Sequence, residues 1–284
     1  MTRANTEHTP HSRTPVLFFD SGAGGLPYFT AFHKRNPYEY AVYTADRANF
    51  PYGEKSKGEI TDILMRTAGA LIGRFEPKAA VLACNTASVS ALAALREAFP
   101  AIPWVGTVPA VKPAVMGSRT RRVGVIGTER TIEDPYIAEL ATKYAPDAEI
   151  IGVAAPDVVR FAEAGGESAP FDEQRRALLP SIARFREAGV DALVLGCTHF
   201  LLVLDAFRAV CAPDIAVYDS VEGVVRRIEN VSLASAAPLS AVDGGAGGDQ
   251  PLLLLTGDAP PGDVWLARAA AAGLIPRLFN EVLP

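Results

Sequence analysis

Residues 79–88 read Ala79-Ala80-Val81-Leu82-Ala83-Cys84-Asn85-Thr86-Ala87-Ser88. A short apolar run ends at a cysteine, and a polar corner then leads into Val89-Ser90-Ala91-Leu92-Ala93-Ala94-Leu95-Arg96, whose alanine and leucine content favours helix. The same plan returns at 191–199, where Asp191-Ala192-Leu193-Val194-Leu195-Gly196 runs into Cys197-Thr198-His199. Upstream of each lies another strand-and-turn: Val16-Leu17-Phe18-Phe19 into Asp20-Ser21-Gly22-Ala23-Gly24-Gly25, and Arg122-Val123-Gly124-Val125-Ile126-Gly127 into Thr128. The separation from Asp20 to Cys84 is roughly that from Thr128 to Cys197, so the chain reads as two related halves.

Working outward, Tyr40-Ala41-Val42-Tyr43 reads as a strand, 58–74 as a helix, and 265–274 as a terminal helix packing on the first half. Short apolar runs alternating with helical stretches are the pattern of parallel βα units. The expected fold class is α/β, in two similar lobes, each a mainly parallel sheet flanked by helices and related by a pseudo-twofold. The expected division is a disordered tail over 1–14, a first lobe over 15–109 plus 225–284, and a second over 110–224. Residues 230–250, rich in Ser, Ala, Gly and Asp, read as a loop.

Composition narrows the function. Among 284 residues, 49% are hydrophobic and 21% charged, enough apolar material for a packed core. A formal charge of −5 argues against a phosphate-backbone binder, which needs clustered cations; no nucleic acid is expected. Three cysteines make no disulfide framework and lack the spacing of a zinc site, so no metal is expected. The first fourteen residues hold no apolar run and read as neither signal peptide nor anchor. Cytoplasmic residence and no membrane partner are expected.

Chemistry concentrates at the corners. A cysteine at a helix start feels the positive end of the backbone dipole, which should lower its thiol pKa. One such cysteine is more often simply buried; two at matched corners reverse that preference. Asn85, Thr86, Thr198 and His199 follow the two thiols and could bind a carboxylate or hold a base, although Asn and Thr are also ordinary caps. Asp20 and Glu163 could each serve one thiol, with a solvated surface position the ordinary reading of Glu163. Gly22-Ala23-Gly24-Gly25-Leu26-Pro27 fails the dinucleotide pattern at its last position and has no Walker lysine. It suits an amide-lined pocket for a small anion. Cys211, in an apolar helical stretch, reads as packing.

Together the motifs Asp20-Ser21-Gly22-Ala23-Gly24-Gly25-Leu26, Pro51-Tyr52-Gly53-Glu54-Lys55-Ser56, Ala83-Cys84-Asn85-Thr86-Ala87-Ser88 and Leu195-Gly196-Cys197-Thr198-His199 resemble the glutamate racemases in order and spacing. The resemblance spans roughly 16–222. It implies glutamate bound between two lobes, no cofactor, a homodimer, and supply of D-glutamate to peptidoglycan. It further implies that Cys84 takes the α-proton of D-glutamate and Cys197 that of L-glutamate. Asp20, Glu163 and His199 would tune or orient the thiols, and Asp20, Ser21, Tyr52, Gly53, Asn85, Thr86, Thr128, Thr198 and His199 would bind substrate. The sequence departs from the family pattern with Ala23 for valine, Phe200-Leu201 for Tyr-Pro, and Ala155 for a frequent cysteine. Two alternatives stay open: a two-cysteine racemase or isomerase acting on aspartate, a hydantoin or a related acid, and a two-lobed acid-binding protein without turnover.

Overall fold

The computed structural model describes residues 14–232 and 250–283. The strand runs seen in the sequence are buried on both faces, as parallel sheets covered by crossover helices require. Among the described residues ten strands form two sheets: β1 Val16–Asp20, β2 Ala41–Ala45, β3 Ala79–Leu82, β4 Trp104–Gly106, β5 Arg122–Gly127, β6 Glu149–Ala154, β7 Ala192–Leu195, β8 Ala216–Tyr218, β9 Leu252–Leu255 and β10 Ile275–Leu278. The first sheet runs β10-β9-β2-β1-β3-β4 and the second β6-β5-β7-β8. Every pairing is parallel. Without its β10-β9 edge, the first sheet has the same chain order as the second.

The repeat extends to register. Phe19 on β1 pairs with Leu82 on β3, and Ile126 on β5 pairs with Leu195 on β7. Two residues beyond each pair stands a cysteine. The amide just before it bonds back to the central strand, Ala83 N to Phe19 O and Gly196 N to Ile126 O, each at 2.7 Å. β1 lies between β2 and β3, and β5 between β6 and β7. At those strands the connections change side, which opens a crevice at their carboxyl ends. Both cysteines sit there.

Alternation along the strands divides the apolar residues among three clusters. Leu17, Phe19 and Val42 pack under the helices Lys57–Phe75 and Asn85–Ala98, while Val123, Val125 and Val194 fill the outer face of the second sheet. The third and largest cluster belongs to both lobes, running from Phe18, Phe29 and Phe32 to Leu193, Leu195 and Phe200. Edge-to-face packing of Phe18 on Phe29, with centroids 5.7 Å apart, stiffens its first-lobe end.

Among the described residues the chain crosses between lobes twice. It leaves the first lobe after β4 and returns between β8 and the helix Val221–Ser232, where Tyr28 and Ser220 hydroxyls meet at 2.8 Å. Ser118–Thr120, near the outward crossing, is fastened to β7 by Asp191. That carboxylate accepts from Ser118 Oγ (2.6 Å), Arg119 N (2.8 Å), Thr120 Oγ1 (3.0 Å) and Thr120 N (3.2 Å).

Several elements differ from expectation. The helix Val221–Ser232 runs through the 224/225 border and takes 230–232 out of the loop expected over 230–250. Residues 233–249, like the 1–13 part of the expected tail, lie outside the described residues. The terminal helix spans Asp263–Ala272 and is followed by β10 at the sheet edge. It does not rest on the first lobe alone: Arg268 bonds the carbonyls of Ala162 and Glu163 in the second.

The Asp191 contacts carry a prediction. Burial raises its pKa, but the hydrogen bonds from Ser118, Arg119 and Thr120 outweigh that and hold it down to about 2. Asp191→Asn should lower stability in urea by about 1–3 kcal/mol at pH 7. Because the folded pKa is depressed, the deficit should shrink as pH falls below the ordinary 3.8 toward 2.

Candidate active site

Cys84 occupies the N-cap position of the helix Asn85–Ala98, with φ −135° and ψ 123°. Cys197 has nearly the same backbone, φ −134° and ψ 136°, but opens a 3-10 turn, Thr198–Val203. Cys84 and Cys197 are 5% and 7% exposed, and a threonine just after each bonds across the seam between the lobes, Thr86 to Thr128 and Thr198 to Asp20. Burial pushes the Cys84 thiol up, and the nearby Asp20 charge adds to this; the Ala87 amide and Ser21 hydroxyl offset only part. The expectation that the helix start lowers this thiol is therefore overturned, because desolvation exceeds what the terminus supplies.

Asp20, at the end of β1, is fully enclosed. Its Oδ1 accepts from Gly22 N at 2.7 Å, and its Oδ2 accepts from Thr198 Oγ1 at 3.0 Å, across the seam. Burial raises its pKa to about 7, against the pull of His199 and the Gly22 amide. Ionising it in the fold costs on the order of 4 kcal/mol more than in water.

Beside Cys197 stands a chain of three groups. Cys197 Sγ lies 3.8 Å from His199 Nδ1, and His199 Nε2 lies 2.8 Å from Glu163 Oε2. Burial lowers the imidazole pKa, but its bonds to the Cys197 sulfur and Glu163 outweigh burial and set it well above the ordinary value. Phe50 packs on the ring, with centroids 5.5 Å apart. Glu163 is thus no solvated surface carboxylate: it ends the helix Pro156–Glu163 and also accepts from Ala23 N at 2.9 Å. The glycine loop does hold a carboxylate on its amides, but the carboxylate is the protein's own.

The loop's glycines have a steric reason. A Cβ at Gly24 would lie 2.5 Å from Thr198 Oγ1 and 2.6 Å from His199 N, and one at Gly22 would lie 2.5 Å from Glu163 Oε2. Only a bare backbone lets the lobes meet this closely.

The remaining predicted residues converge here. Thr86 Oγ1 meets Thr128 Oγ1 at 3.0 Å, joining the lobes through hydroxyls. Asn85 is 2% exposed, and neither polar atom of its side chain has a protein partner. Tyr52 is buried in a 3-10 turn with its hydroxyl on Asp46 Oδ2 at 2.6 Å, and Gly53 abuts Thr128. Next to Gly53 and Thr128 a cleft is walled by Pro51, Pro156 and Val159, and the Arg160–Glu54 ion pair at 3.0 Å spans it. Its walls reach neither cysteine. Among the described residues no three His, Cys, Asp or Glu side chains converge as metal ligands, and no helix is long and apolar enough to cross a membrane.

Sequence reading missed three supports. Asp46 also accepts from Thr256 Oγ1 at 2.6 Å and so ties Tyr52 to the loop after β9; its place directly after β2, next to β1 with Asp20 at its end, was the available signal. Tyr43 donates to Gly22 O at 2.9 Å, and Thr131 joins Thr128 at 3.1 Å. No local motif marks either. Cys211 is fully buried, and burial raises its pKa to about 11, in keeping with a packing role.

A family model described as Asp/Glu/Hydantoin racemase matches residues 30–228. The chain belongs to that family. This racemase is 38% identical to the glutamate racemase of Sphingopyxis alaskensis over 84% of this chain and 89% of the relative. Its fold is similar to the Escherichia coli glutamate racemase in complex with L-glutamate and activator UDP-MurNAc-ala, with TM-score 0.79, 31% identity, and coverage of 94% and 97% of the two chains. It is also similar to the Francisella tularensis glutamate racemase in complex with D-glutamate, with TM-score 0.73, 25% identity, and coverage of 91% and 93%. As a racemase, the protein is an isomerase.

The geometry yields two expected outcomes. Gly24→Ala should part the lobes, read as a larger radius of gyration in X-ray scattering; an unchanged value would show that the seam yields to a methyl group. Asp20→Asn should gain stability relative to wild type as pH rises from 4 to 8, by up to about 4 kcal/mol, since the folded Asp20 pKa is raised and its ionisation weakens the fold. Paired denaturation curves across that range check the sign.

Proposed function

We propose that the chain interconverts L- and D-glutamate by cofactor-independent two-base transfer of the α-proton, supplying D-glutamate for peptidoglycan. The observation that carries the reading is the pair of enclosed thiols at equivalent corners of opposed lobes. Inversion needs a base on one face of the α-carbon and an acid on the other. Toward D-glutamate, a Cys197 thiolate takes the α-proton of the L enantiomer, and the Cys84 thiol delivers its own proton to the opposite face. The sulfurs exchange charge, and the reverse reaction starts from the exchanged state.

The surroundings fit this division. Burial keeps Cys84 as the thiol, the proton donor. A protonated His199, held by Glu163, offers Cys197 the positive neighbour a thiolate requires. Asn85 presents an amide donor and an acceptor with no protein partner, suited to the α-carboxylate and ammonium of an amino acid. The reading assigns the rest of the substrate to the hydroxyls of Thr86, Thr128, Thr198 and Ser21, with Tyr52 and Gly53. A substrate reaches the sulfurs only when the lobes part, and their closure leaves the reacting groups in a dry site. The names of the relatives and the glutamate in two similar structures support glutamate over aspartate or a hydantoin. Residence in the cytoplasm and assembly as a homodimer belong to the same reading; light scattering tests the latter.

Wild type, Cys84→Ser and Cys197→Ser incubated with each glutamate enantiomer in D2O should separate the roles. Wild type should racemise and incorporate α-deuterium, and each variant should lose turnover by at least about a hundredfold. Exchange with aspartate or a hydantoin alone would move the substrate, and no exchange with any of them would leave a binding protein.

A further inference from the structure

We propose that Arg268, on the terminal helix Asp263–Ala272, is a positioning residue for proton transfer at Cys197, acting through Glu163 and His199. The proposal rests on the racemase reading above.

Arg268 is 7% exposed, and its guanidinium is used on two fronts. Nε and Nη2 form a forked pair with Glu167 Oε1 and Oε2 at 2.6 and 3.0 Å. Nη1 donates to Glu163 O at 2.9 Å, and Nη2 to Ala162 O at 2.7 Å. The Trp265 ring, 5.4 Å away, packs against the same guanidinium. The carbonyls it takes are those at the end of the helix Pro156–Glu163, where a cation is favoured; Ala162 O also accepts from the Gly165 amide at 3.2 Å, whereas Glu163 O accepts from Arg268.

Glu163 is the last residue of that helix, the position most prone to fray. Its carbonyl is held by Arg268, and its carboxylate reaches the other way to Ala23 N and His199 Nε2. Fixing the carbonyl fixes the Cα, and so the direction in which the carboxylate leaves it. The carboxylate in turn sets the orientation and proton of the imidazole 3.8 Å from the Cys197 sulfur. Glu167 supplies the counter-charge that lets a guanidinium sit in so dry a place. The helix carrying Arg268 is joined to the first sheet through β9 and β10, so the group that steadies this second-lobe base is supplied by the opposite lobe.

The test uses kcat and KM with both glutamate enantiomers for wild type, R268A, R268K, E167Q, E163Q and the R268A/E163Q pair. It adds the pH profile of Cys197 alkylation by iodoacetamide, resolved by peptide mass. R268A should lower kcat roughly 10–100-fold in both directions with KM little changed. R268K should restore part of the rate, and E167Q should fall between wild type and R268A. The paired variant should be no slower than E163Q alone, since both act on one group. The alkylation profile should shift alike in R268A and E163Q. Unchanged kcat in folded R268A, or losses that multiply in the pair, would overturn the proposal. Should R268A fail to fold by circular dichroism, R268K and E167Q make the same comparison with the charge or the arginine retained. If wild type does not racemise glutamate, the racemase reading falls by itself. The alkylation profiles then decide: a shared shift keeps the Arg268–Glu163–His199 linkage, and an unshifted profile removes it.

Discussion

Two carboxylates, an imidazole and two thiols are withdrawn from water in a seam where two lobes meet, and the structure around them answers the cost of that withdrawal. A charged group buried without partners is prohibitively costly, so each must be bonded, neutralised or shared. Asp20 takes the Gly22 amide and the Thr198 hydroxyl. Glu163 takes the Ala23 amide and the His199 ring. In both cases one partner comes from the opposite lobe. The polar groups are therefore satisfied by closure itself, and the glycines at 22 and 24 are the steric condition for it.

A duplicated framework carrying unequal chemistry follows from the same seam. The two cysteines share register, backbone conformation and the amide bond preceding them, yet their neighbours differ. Cys84 has Ser21 and the Asp20 charge nearby, whereas Cys197 has an imidazole backed by Glu163. Two equivalent thiols would have no fixed order of donor and acceptor. Under the proposed two-base transfer, inequality around a symmetric pair would assign one proton to one side of the site, in an order that a reaction run in both directions must be able to reverse.

Much of this was legible in the sequence because it depends on local pattern. Short apolar runs ending at Asp20, Cys84, Thr128 and Cys197 marked strand ends, and the repeat put them in equivalent places. What depends on distant partners was not legible. Glu163 reads as a helix carboxylate until the fold brings Ala23 and His199 to it, and Cys84 at a helix start reads as activated until burial is counted. β10 was hidden because Ile275-Pro276-Arg277-Leu278 contains a proline, which a sheet accepts at its edge, where this strand lies. Phe200 and Leu201, which depart from the family pattern, lie in the core, with Phe200 5.4 Å from the Phe207 ring.

The double passage of the chain between lobes has a mechanical meaning. A body tied to another by one flexible strand can turn about any direction, whereas two separate ties leave a single easy rotation, about the line that joins them. Here one tie is secured by Asp191 on the Ser118–Thr120 turn and the other by the Tyr28–Ser220 contact. The two connections are thereby placed like the two knuckles of one hinge. With the lobes together, Gly24 lies so near the His199 amide that a Cβ there would come within 2.6 Å of it, so the fit across the seam depends on where the two connections hold the lobes.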